Sequence, residues 1–211
     1  IHGVMNTDNM LISGETIDYG PCAFMDNFNL DQVFSSIDRH GRYAYINQPL
    51  IAQWNLARLA DCLLMTYESD SKSLVKMYED ELVNFKKQFD EQWAQRMRSK
   101  LGMLNQEPED LEIVKKWLEY LQDENLDYTN SFRNLASSIE SFEPTPKFKD
   151  FEQPWRRRLQ SFEPSAIQEK MNEVIPIYIP RNHQVERAIR ATANGGLSVF
   201  EELTLVLPKI N

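Results

Sequence analysis

The feature that most constrains the fold is a long run of apolar residues at helical spacing near the middle of the chain. Between residues 74 and 101 they recur in steps of three and four, at Tyr78, Leu82, Phe85, Phe89, Trp93, Met97 and Leu101. Side chains at this spacing share one face of an α-helix, whereas those of a half-buried strand alternate every second residue. The pattern predicts one long amphipathic helix that ends at Gly102.

Helical patterns also occur on both sides of this segment. A helix is predicted from residue 47 to about residue 67, with Asn47 as its cap and Pro49 in its first turn. Because its apolar residues occupy almost all faces, we expect it to lie in the core and to support the N-terminal segment. Further helices are predicted at about 110–121, from Tyr128 onward, and at 155–159, 164–176, 181–194 and 198–207.

Two local predictions follow from turn and cap residues. The stretch 142–154 contains Pro144, Pro146 and Pro154 and is predicted to be a loop. Ser198 with Glu201 three residues later predicts a capping box at the start of the last helix.

Charge and composition exclude several classes of protein. The 211 residues include 23 basic and 32 acidic side chains, which gives a net charge of −9. A chain this acidic does not suit nucleic acid or an anionic membrane as a partner, because both require clustered Lys and Arg. No apolar run approaches the roughly 20 residues of a membrane span. The two cysteines, Cys22 and Cys62, have no metal-ligand spacing and form no disulfide framework.

The chemistry is concentrated in residues 1–20. The turn Ser13-Gly14-Glu15, flanked by the short apolar runs 10–12 and 16–18, predicts a tight β-hairpin. A hairpin brings its two ends together, so Asp8 and Asn9 are expected near Asp18. Carboxylate and amide oxygens of this kind suit Mg²⁺, which bridges protein carboxylates to substrate phosphates. Asp8 and Asn9 are predicted to point to opposite sides of an extended chain, so that they serve different partners.

Each of these residues also has a simpler interpretation. An Asp-Asn pair is commonly a turn or helix cap, because both side chains bond to nearby backbone. Asp18 is equally suited to cap the end of a strand. For His2 and Asn6 a structural role is favoured. Only the combination of these residues indicates a catalytic site.

Longer sequence motifs resemble one family. An Asp and an Asn followed by Asp18-Tyr19-Gly20 parallel the catalytic loop and the Asp-Phe-Gly motif of protein kinases, although kinases place four residues between the Asp and the Asn. The strings themselves resemble the SelO family, the YdiU-type pseudokinases that act as protein adenylyltransferases. They run in order along nearly the whole chain: HGVMNTDNM, TIDYGP, HGRYAYINQP, WNLARLA, RMRSKLG, DYTNSFRNL and IPRNHQVERAI.

The resemblance implies a fold and a set of roles. It implies a mainly α kinase-like large lobe with a small β-hairpin: residues 1–20 the catalytic hairpin, 21–46 an activation-segment-like region, and 47–211 a helical body. Asp8 would be the proton acceptor, Asn9 and Asp18 would bind Mg²⁺ (or Mn²⁺), and Asp18 would also contact ATP. The partners implied are ATP and proteins with Ser, Thr or Tyr hydroxyls. The location implied is the cytoplasm in bacteria or the mitochondrion in eukaryotes.

Kinase-like sites also need a Gly-rich loop, a strand Lys and a helix Glu that precede the catalytic loop. None of the three is found in the sequence, which predicts a fragment that lacks the nucleotide-gripping lobe and is inactive alone. The resemblance also implies a C-terminal tail, often ending near a Cys or selenocysteine, that is not found after Asn211, so truncation is expected at both ends. Two other functions remain open from the residues: a protein kinase, since the same groups serve attack at the γ-phosphorus, and a non-catalytic helical interaction module, in which Asp8-Asn9 is only a turn.

Overall fold

The computed structural model describes residues 1–67, 72–137 and 142–207, and within these ranges the chain is mainly helical. This confirms the mainly α prediction. Two single 3-10 turns occupy Thr7–Asn9 and Tyr45–Asn47, and the described ranges contain isolated β-bridges but no extended strand. The helices are α1 Gln48–Leu64, α2 Lys72–Lys100, α3 Asp110–Asp123, α4 Tyr128–Ser137, α5 Pro146–Leu159, α6 Pro164–Val174, α7 Asn182–Ala193 and α8 Ser198–Val206.

The long helix is confirmed. α2 covers residues 72–100 and ends just before Gly102, whose φ of 74° lies in the left-handed region that favours glycine. A Cβ at Gly102 would lie 2.6 Å from Ile167 Cγ2, so the close packing of α6 also requires glycine here. α1 begins where Asn47 and Pro49 predict, but the Asn47 side chain donates to Gly41 O rather than capping the helix.

The prediction of a loop at 142–154 was wrong, because α5 covers Pro146–Leu159. Thr145 Oγ1 accepts a hydrogen bond from Phe148 N, and Pro146 occupies the first turn, where its missing N–H costs nothing. Pro154 lies inside the helix. Its cost is offset by the burial of the face formed by Phe148, Phe151, Trp155 and Leu159.

Two smaller expectations were also wrong. Ser198 is the first residue of α8 and not its cap, and no side chain caps the helix. The helix α1 is less buried than its apolar composition predicts: only Asn55 and Ala60 are buried, whereas Leu50 is 60% exposed. Other apolar residues of α1, among them Leu56 and Leu59, face α2 across a cavity that Tyr78, Leu82 and Phe85 also line.

The chain divides into two compact units, one formed by residues 1–23 and 30–93 and the other by 24–29 and 94–211. In the first unit, α1 carries side-chain amides that hydrogen bond to the N-terminal segment, and Gln53 Nε2 donates to Leu82 O of α2. The expectation that α1 supports the N-terminal segment is therefore confirmed.

The second unit has an aromatic core. Trp117 of α3 is fully buried, and its ring lies 4.7 Å from that of Phe151 and 5.7 Å from that of Phe132, measured between centroids. Trp155 adds a directional contact, because its Nε1 donates to Leu101 O at 2.8 Å. These contacts tie α3, α4 and α5 to the end of α2 within this unit, and aromatic pairs of this geometry add stability beyond the area that they bury.

Ion pairs complete the second unit. The fully buried Asp110 accepts from Arg158 Nε at 2.7 Å and from Glu107 N at 2.9 Å. Arg181 Nη1 donates to both Asp26 and Asp127 at 2.5 Å, which holds the segment 24–29 against the start of α4. The hydrogen bond to Asp127 and, with a smaller effect, the one to Asp26 raise the pKa of Arg181 against the opposing effect of burial and keep it charged. Asp127 Oδ1 also accepts a hydrogen bond from Asn130 N in the first turn of α4.

Lys100, in the second unit, has a lowered pKa because of its surroundings. Its Nζ lies 4.7 Å from the ring centroid of Tyr128 and 5.2 Å from that of Phe132. Burial, with a smaller contribution from Arg96, lowers the pKa of Lys100 from 10.5 to about 8. The folded chain therefore releases this proton at lower pH than the unfolded chain does.

We expect the free energy of unfolding to rise between pH 8 and about pH 10.5 through Lys100. In that window the unfolded state binds more protons, so folding is favoured as the pH increases, by about 2–3 kcal/mol in all. Lys100→Met should remove this rise, which urea unfolding at several pH values measures. Lys115→Met, at an exposed ion pair in α3, is the control and should keep it. If the free energy of unfolding rose with pH equally in the wild type and in Lys100→Met, the rise could not come from Lys100.

Candidate active site

The N-terminal segment, residues 1–23, is an outer loop that contains a smaller, inner turn. Its ends pair where Gly3 N donates to Pro21 O and Ala23 N donates to Ile1 O, on either side of the antiparallel bridge between His2 and Cys22. A second bridge, Met10 with Thr16, closes the inner turn, in which Gly14 has a φ of 78°. The turn lies where the sequence predicts it, but the two pairings are isolated bridges rather than the ladder of a hairpin.

Asp8 and Asn9 lie on the 3-10 turn Thr7–Asn9 and not on extended chain, which corrects the expected geometry. The turn is closed by Asn9 N donating to Asn6 O at 3.0 Å. Successive residues of a 3-10 helix are about 120° apart, so the two side chains still diverge. The Asp8 carboxylate is exposed and makes no hydrogen bond or ion pair with the described residues.

The orientation of Asn9 is fixed by its own amide. Asn9 Nδ2 donates to Val4 O at 2.9 Å, and the side chain is half-buried. Because the nitrogen is used in this way, the carbonyl Oδ1 is the atom left to bind a ligand. A neutral oxygen donor held in place on a rigid turn is a suitable ligand for a hard cation.

Asp18 lies in a tight local turn. Its Oδ1 accepts from Gly20 N at 2.8 Å, and Thr16 Oγ1 donates to the Asp18 carbonyl. The side chain is about half exposed, at 54%, which leaves Oδ2 open to a ligand.

His2 approaches the same carboxylate. His2 Nε2 lies 3.9 Å from Asp18 Oδ1, beyond hydrogen-bond distance. His2 Nδ1 accepts from Val4 N at 3.3 Å, so the neutral ring carries its proton on Nε2. That atom is buried and has no hydrogen-bond partner among the described residues.

The structure brings His2 and Asp18 together, and within the described ranges no hydrogen bond or ion pair joins Asp8 or Asn9 to Asp18. The same ranges hold no cluster of three His, Cys, Asp or Glu side chains that would bind a metal unaided. The two predicted ligands, Asn9 and Asp18, nevertheless each have one side-chain oxygen with no hydrogen bond to the described residues. This donor set fits Mg²⁺, which takes few protein ligands and completes its shell with water and phosphate.

Sequence reasoning missed two residues that hold this segment. Gln48 Nε2 donates to His2 O at 2.9 Å, and Asn55 Nδ2 donates to Met5 O at 3.0 Å. Both lie on α1, more than 40 residues away in the chain. The available signal was a polar Asn55 among the apolar residues of α1, a position that calls for a hydrogen-bond partner.

Comparison with known proteins finds a family and several relatives that match nearly the whole chain. The model of a family described as "Protein adenylyltransferase SelO" matches residues 1–207. A "Protein nucleotidyltransferase YdiU" of Alkaliphilus metalliredigens is 48% identical over 217 residues, covering 99% of this chain and 44% of the relative. Proteins with the same name from Bacillus anthracis and Rhizobium meliloti are 47% and 46% identical over 96% of the chain. The chain spans less than half the length of these relatives.

No helix in the described part of the chain is both long and apolar enough to cross a membrane.

The close approach at Gly3 yields a stability prediction. A Cβ at Gly3 would lie 2.7 Å from Phe34 O and 2.8 Å from Pro21 O, both backbone atoms that cannot rotate away. Gly3→Ala should therefore destabilise the chain by about 1–3 kcal/mol, the cost of overpacking. Thermal melting measures it. Gly196→Ala is the control, because its nearest neighbour would be Ala191 O at 3.5 Å, an ordinary contact. Equal melting temperatures for the two variants would refute the close approach.

Proposed function

Since the chain belongs to the SelO family of protein adenylyltransferases, we propose that it forms the part of such an enzyme that carries the catalytic base and the metal ligands. The full enzyme transfers AMP from ATP to Ser, Thr or Tyr hydroxyls of protein substrates. The observation that carries the proposal is the Thr7–Asn9 turn, which presents an exposed Asp8 with no partner among the described residues beside an Asn9 whose Oδ1 is not used by them. A turn that served only as a cap would have used both side chains internally.

In the proposed enzyme Asn9 and Asp18 hold Mg²⁺, with Mn²⁺ as the alternative ion. When bound, the ion neutralises the charge of the ATP phosphates. Asn9 Oδ1 is pre-oriented by the bond from its Nδ2 to Val4 O, so little ordering is required of it. Asp18 contributes the negative charge of the pair, with one oxygen steadied by Gly20 N and the other free.

Asp8 is the proposed proton acceptor for the incoming hydroxyl. General bases act on a proton within direct hydrogen-bond reach, so the group must be accessible and not already paired. The Asp8 carboxylate meets both conditions within the described ranges. Transfer of this kind depends mainly on positioning and charge neutralisation, which suits a base fixed on a short turn.

The wider architecture is proposed to be a kinase-like large lobe. In that arrangement residues 1–20 carry the site, 21–46 form the activation-segment-like region, and the helices from α1 onward form the body. The order of these parts along the chain and the support of the N-terminal segment by α1 favour the proposal.

Intact-mass analysis of the full-length enzyme that carries this sequence tests the reaction. After incubation with ATP, Mg²⁺ and a candidate protein substrate, we expect the mass of the acceptor to rise by one AMP. A rise by one phosphoryl group would instead indicate a kinase, in which the same base and metal serve attack at the γ-phosphorus. No mass change and no Mg²⁺-dependent protection by ATP would favour an interaction module. The 211 residues alone are expected to show no transfer, because they contain no Gly-rich loop.

The metal assignment predicts an order of effects. In the full-length enzyme Asp18→Ala should abolish Mg-ATP binding, because it removes the only charged ligand that we assign. Asn9→Ala removes a neutral oxygen and should weaken binding less. Calorimetry measures both. Glu15→Gln is the matched control, since Glu15 is an exposed carboxylate of the same loop whose hydrogen bond, within the described part of the chain, comes from Ser13. Wild-type affinity in both site variants would place the metal elsewhere.

The base assignment predicts a separation of binding from turnover. Asp8→Asn should leave Mg-ATP affinity nearly unchanged and lower kcat by roughly 10²–10⁴-fold, the usual contribution of a general base. The melting temperature should hold, because Asp8 makes no hydrogen bond with the described residues. Thr7→Ala, on the same turn and also exposed, is the control for kcat.

Other outcomes for Asp8→Asn separate the alternative roles. A joint fall in affinity and turnover would make Asp8 a metal ligand. Unchanged turnover with a loss of about 0.5–2 kcal/mol of stability would make it a cap residue only.

A further inference from the structure

The turn that carries Asp8 and Asn9, and the segment that leads into it, are held from outside by two amide side chains of α1. Gln48 Nε2 donates to His2 O at 2.9 Å, and Asn55 Nδ2 donates to Met5 O at 3.0 Å. We propose that Asn55 is a positioning residue for the catalytic turn and that Gln48 sets the register of the chain that leads into it. The expected effect of Asn55 on kcat rests on the proposed function. Its structural effect, fixing the turn Thr7–Asn9, does not.

The two donors lie on the same face of α1. Gln48 and Asn55 are seven residues apart, two turns of α-helix, so they lie about 10 Å apart along the axis. Their acceptors, His2 O and Met5 O, are three residues apart, with a bend at Gly3 between them. The segment 2–5 is therefore held at two points of one helix face. A shift of this segment by one residue would move both carbonyls away from these amides.

Asn55 joins the two sides of the turn. Its Nδ2 lies 3.0 Å from Met5 O and 2.7 Å from Met10 Sδ, and the residues between these two are those that form the turn. The turn is also closed internally by Asn9, through its N to Asn6 O and its Nδ2 to Val4 O. One buried amide thus fixes both ends of a short loop whose middle carries the proposed base.

The chemistry at position 55 requires an amide. Asn55 is buried, with 6% of its surface exposed, and its Oδ1 has no hydrogen-bond partner among the described residues. An unpaired buried oxygen costs free energy. A leucine would avoid this cost but would leave Met5 O unpaired, and an aspartate would place a second acceptor against it. The donor is therefore retained at a cost to stability, as expected of a group that positions a reactive turn.

The test compares two amides of the same helix. Asn55→Ala removes the contact with the turn. Gln53→Ala is the matched control, because Gln53 Nε2 also donates to a backbone carbonyl, that of Leu82 at 2.8 Å, away from the turn. Both are made in the full-length enzyme that carries this sequence. Hydrogen exchange of the Asn9 amide and steady-state kinetics are measured for each, with stability measured alongside.

We expect Asn55→Ala to speed exchange of the Asn9 amide at least tenfold and to lower kcat ten- to a hundredfold, since small misplacements of a reacting group cost this much. The KM for ATP should change by a smaller factor than kcat, because only Asn9 of the two proposed metal ligands lies on the turn, whereas Asp18 is held by its own contacts. Gln53→Ala should change neither exchange nor kcat beyond what its stability loss explains. Equal exchange and kcat in the two variants at matched stability would overturn the proposal.

A second variant covers the case in which Asn55→Ala does not fold. Met10→Leu removes only the sulfur partner and keeps the apolar volume. In this folded variant the Asn9 amide should exchange severalfold faster than in the wild type. An unchanged exchange rate would show that Asn55 does not link Met5 and Met10 across the turn. If the wild-type enzyme transfers no AMP, the proposed function fails, while the exchange measurement still decides whether Asn55 fixes the turn.

Discussion

The first 47 residues contain no α-helix and no extended strand in the described structure, so their backbone polar groups must find partners elsewhere. A buried N–H or C=O without a partner costs free energy comparable to a lost hydrogen bond. In the first unit some of these groups pair with one another, as Gly3 N does with Pro21 O, and several carbonyls are bound by side-chain amides instead. Gln48 binds the carbonyls of His2 and Tyr43, Asn55 binds that of Met5, and Asn47 binds that of Gly41. This requirement explains why α1 carries Gln and Asn among apolar residues, and it makes the shape of the N-terminal segment depend on that helix.

The second unit meets a different constraint, that of burying large aromatic side chains and charges together. Trp117 packs against rings from three parts of the unit, while Asp110, fully buried, is compensated by Arg158 and by a backbone N–H. A buried carboxylate is tolerated only with such partners. The same logic applies at Arg181, whose two carboxylate partners would repel each other without it. Charge pairs thus fix the ends of helices whose apolar faces form the core.

The helices were predictable wherever the apolar spacing was regular, as in α2, whose bounds differ from the prediction by one or two residues. α5 was missed because its prolines were taken as breakers, although Pro146 occupies the one turn where proline is favourable. At the candidate site, the sequence predicted roles for Asp8, Asn9 and Asp18, which stay predictions, but it did not predict the 3-10 turn. The role of Asn55 was beyond sequence reasoning, because its partner Met5 lies 50 residues away and only the fold brings the two together.

The two halves of the candidate site are held unequally. The turn with Asp8 and Asn9 is anchored to α1 through buried contacts on both of its sides. Asp18 is held by its own short turn, and His2 Nε2 remains 3.9 Å from its carboxylate, too far for a hydrogen bond. In the proposed reaction a base must be fixed before the substrate arrives, because misplacement by 1 Å can cost about 10²-fold in rate. A metal ligand can adjust as the ion binds, since coordination supplies the energy for a small movement. The rigid turn therefore suits the proton acceptor and the pre-oriented neutral ligand Asn9, and the separately held Asp18, with a buried imidazole N–H beside it, suits the charged ligand.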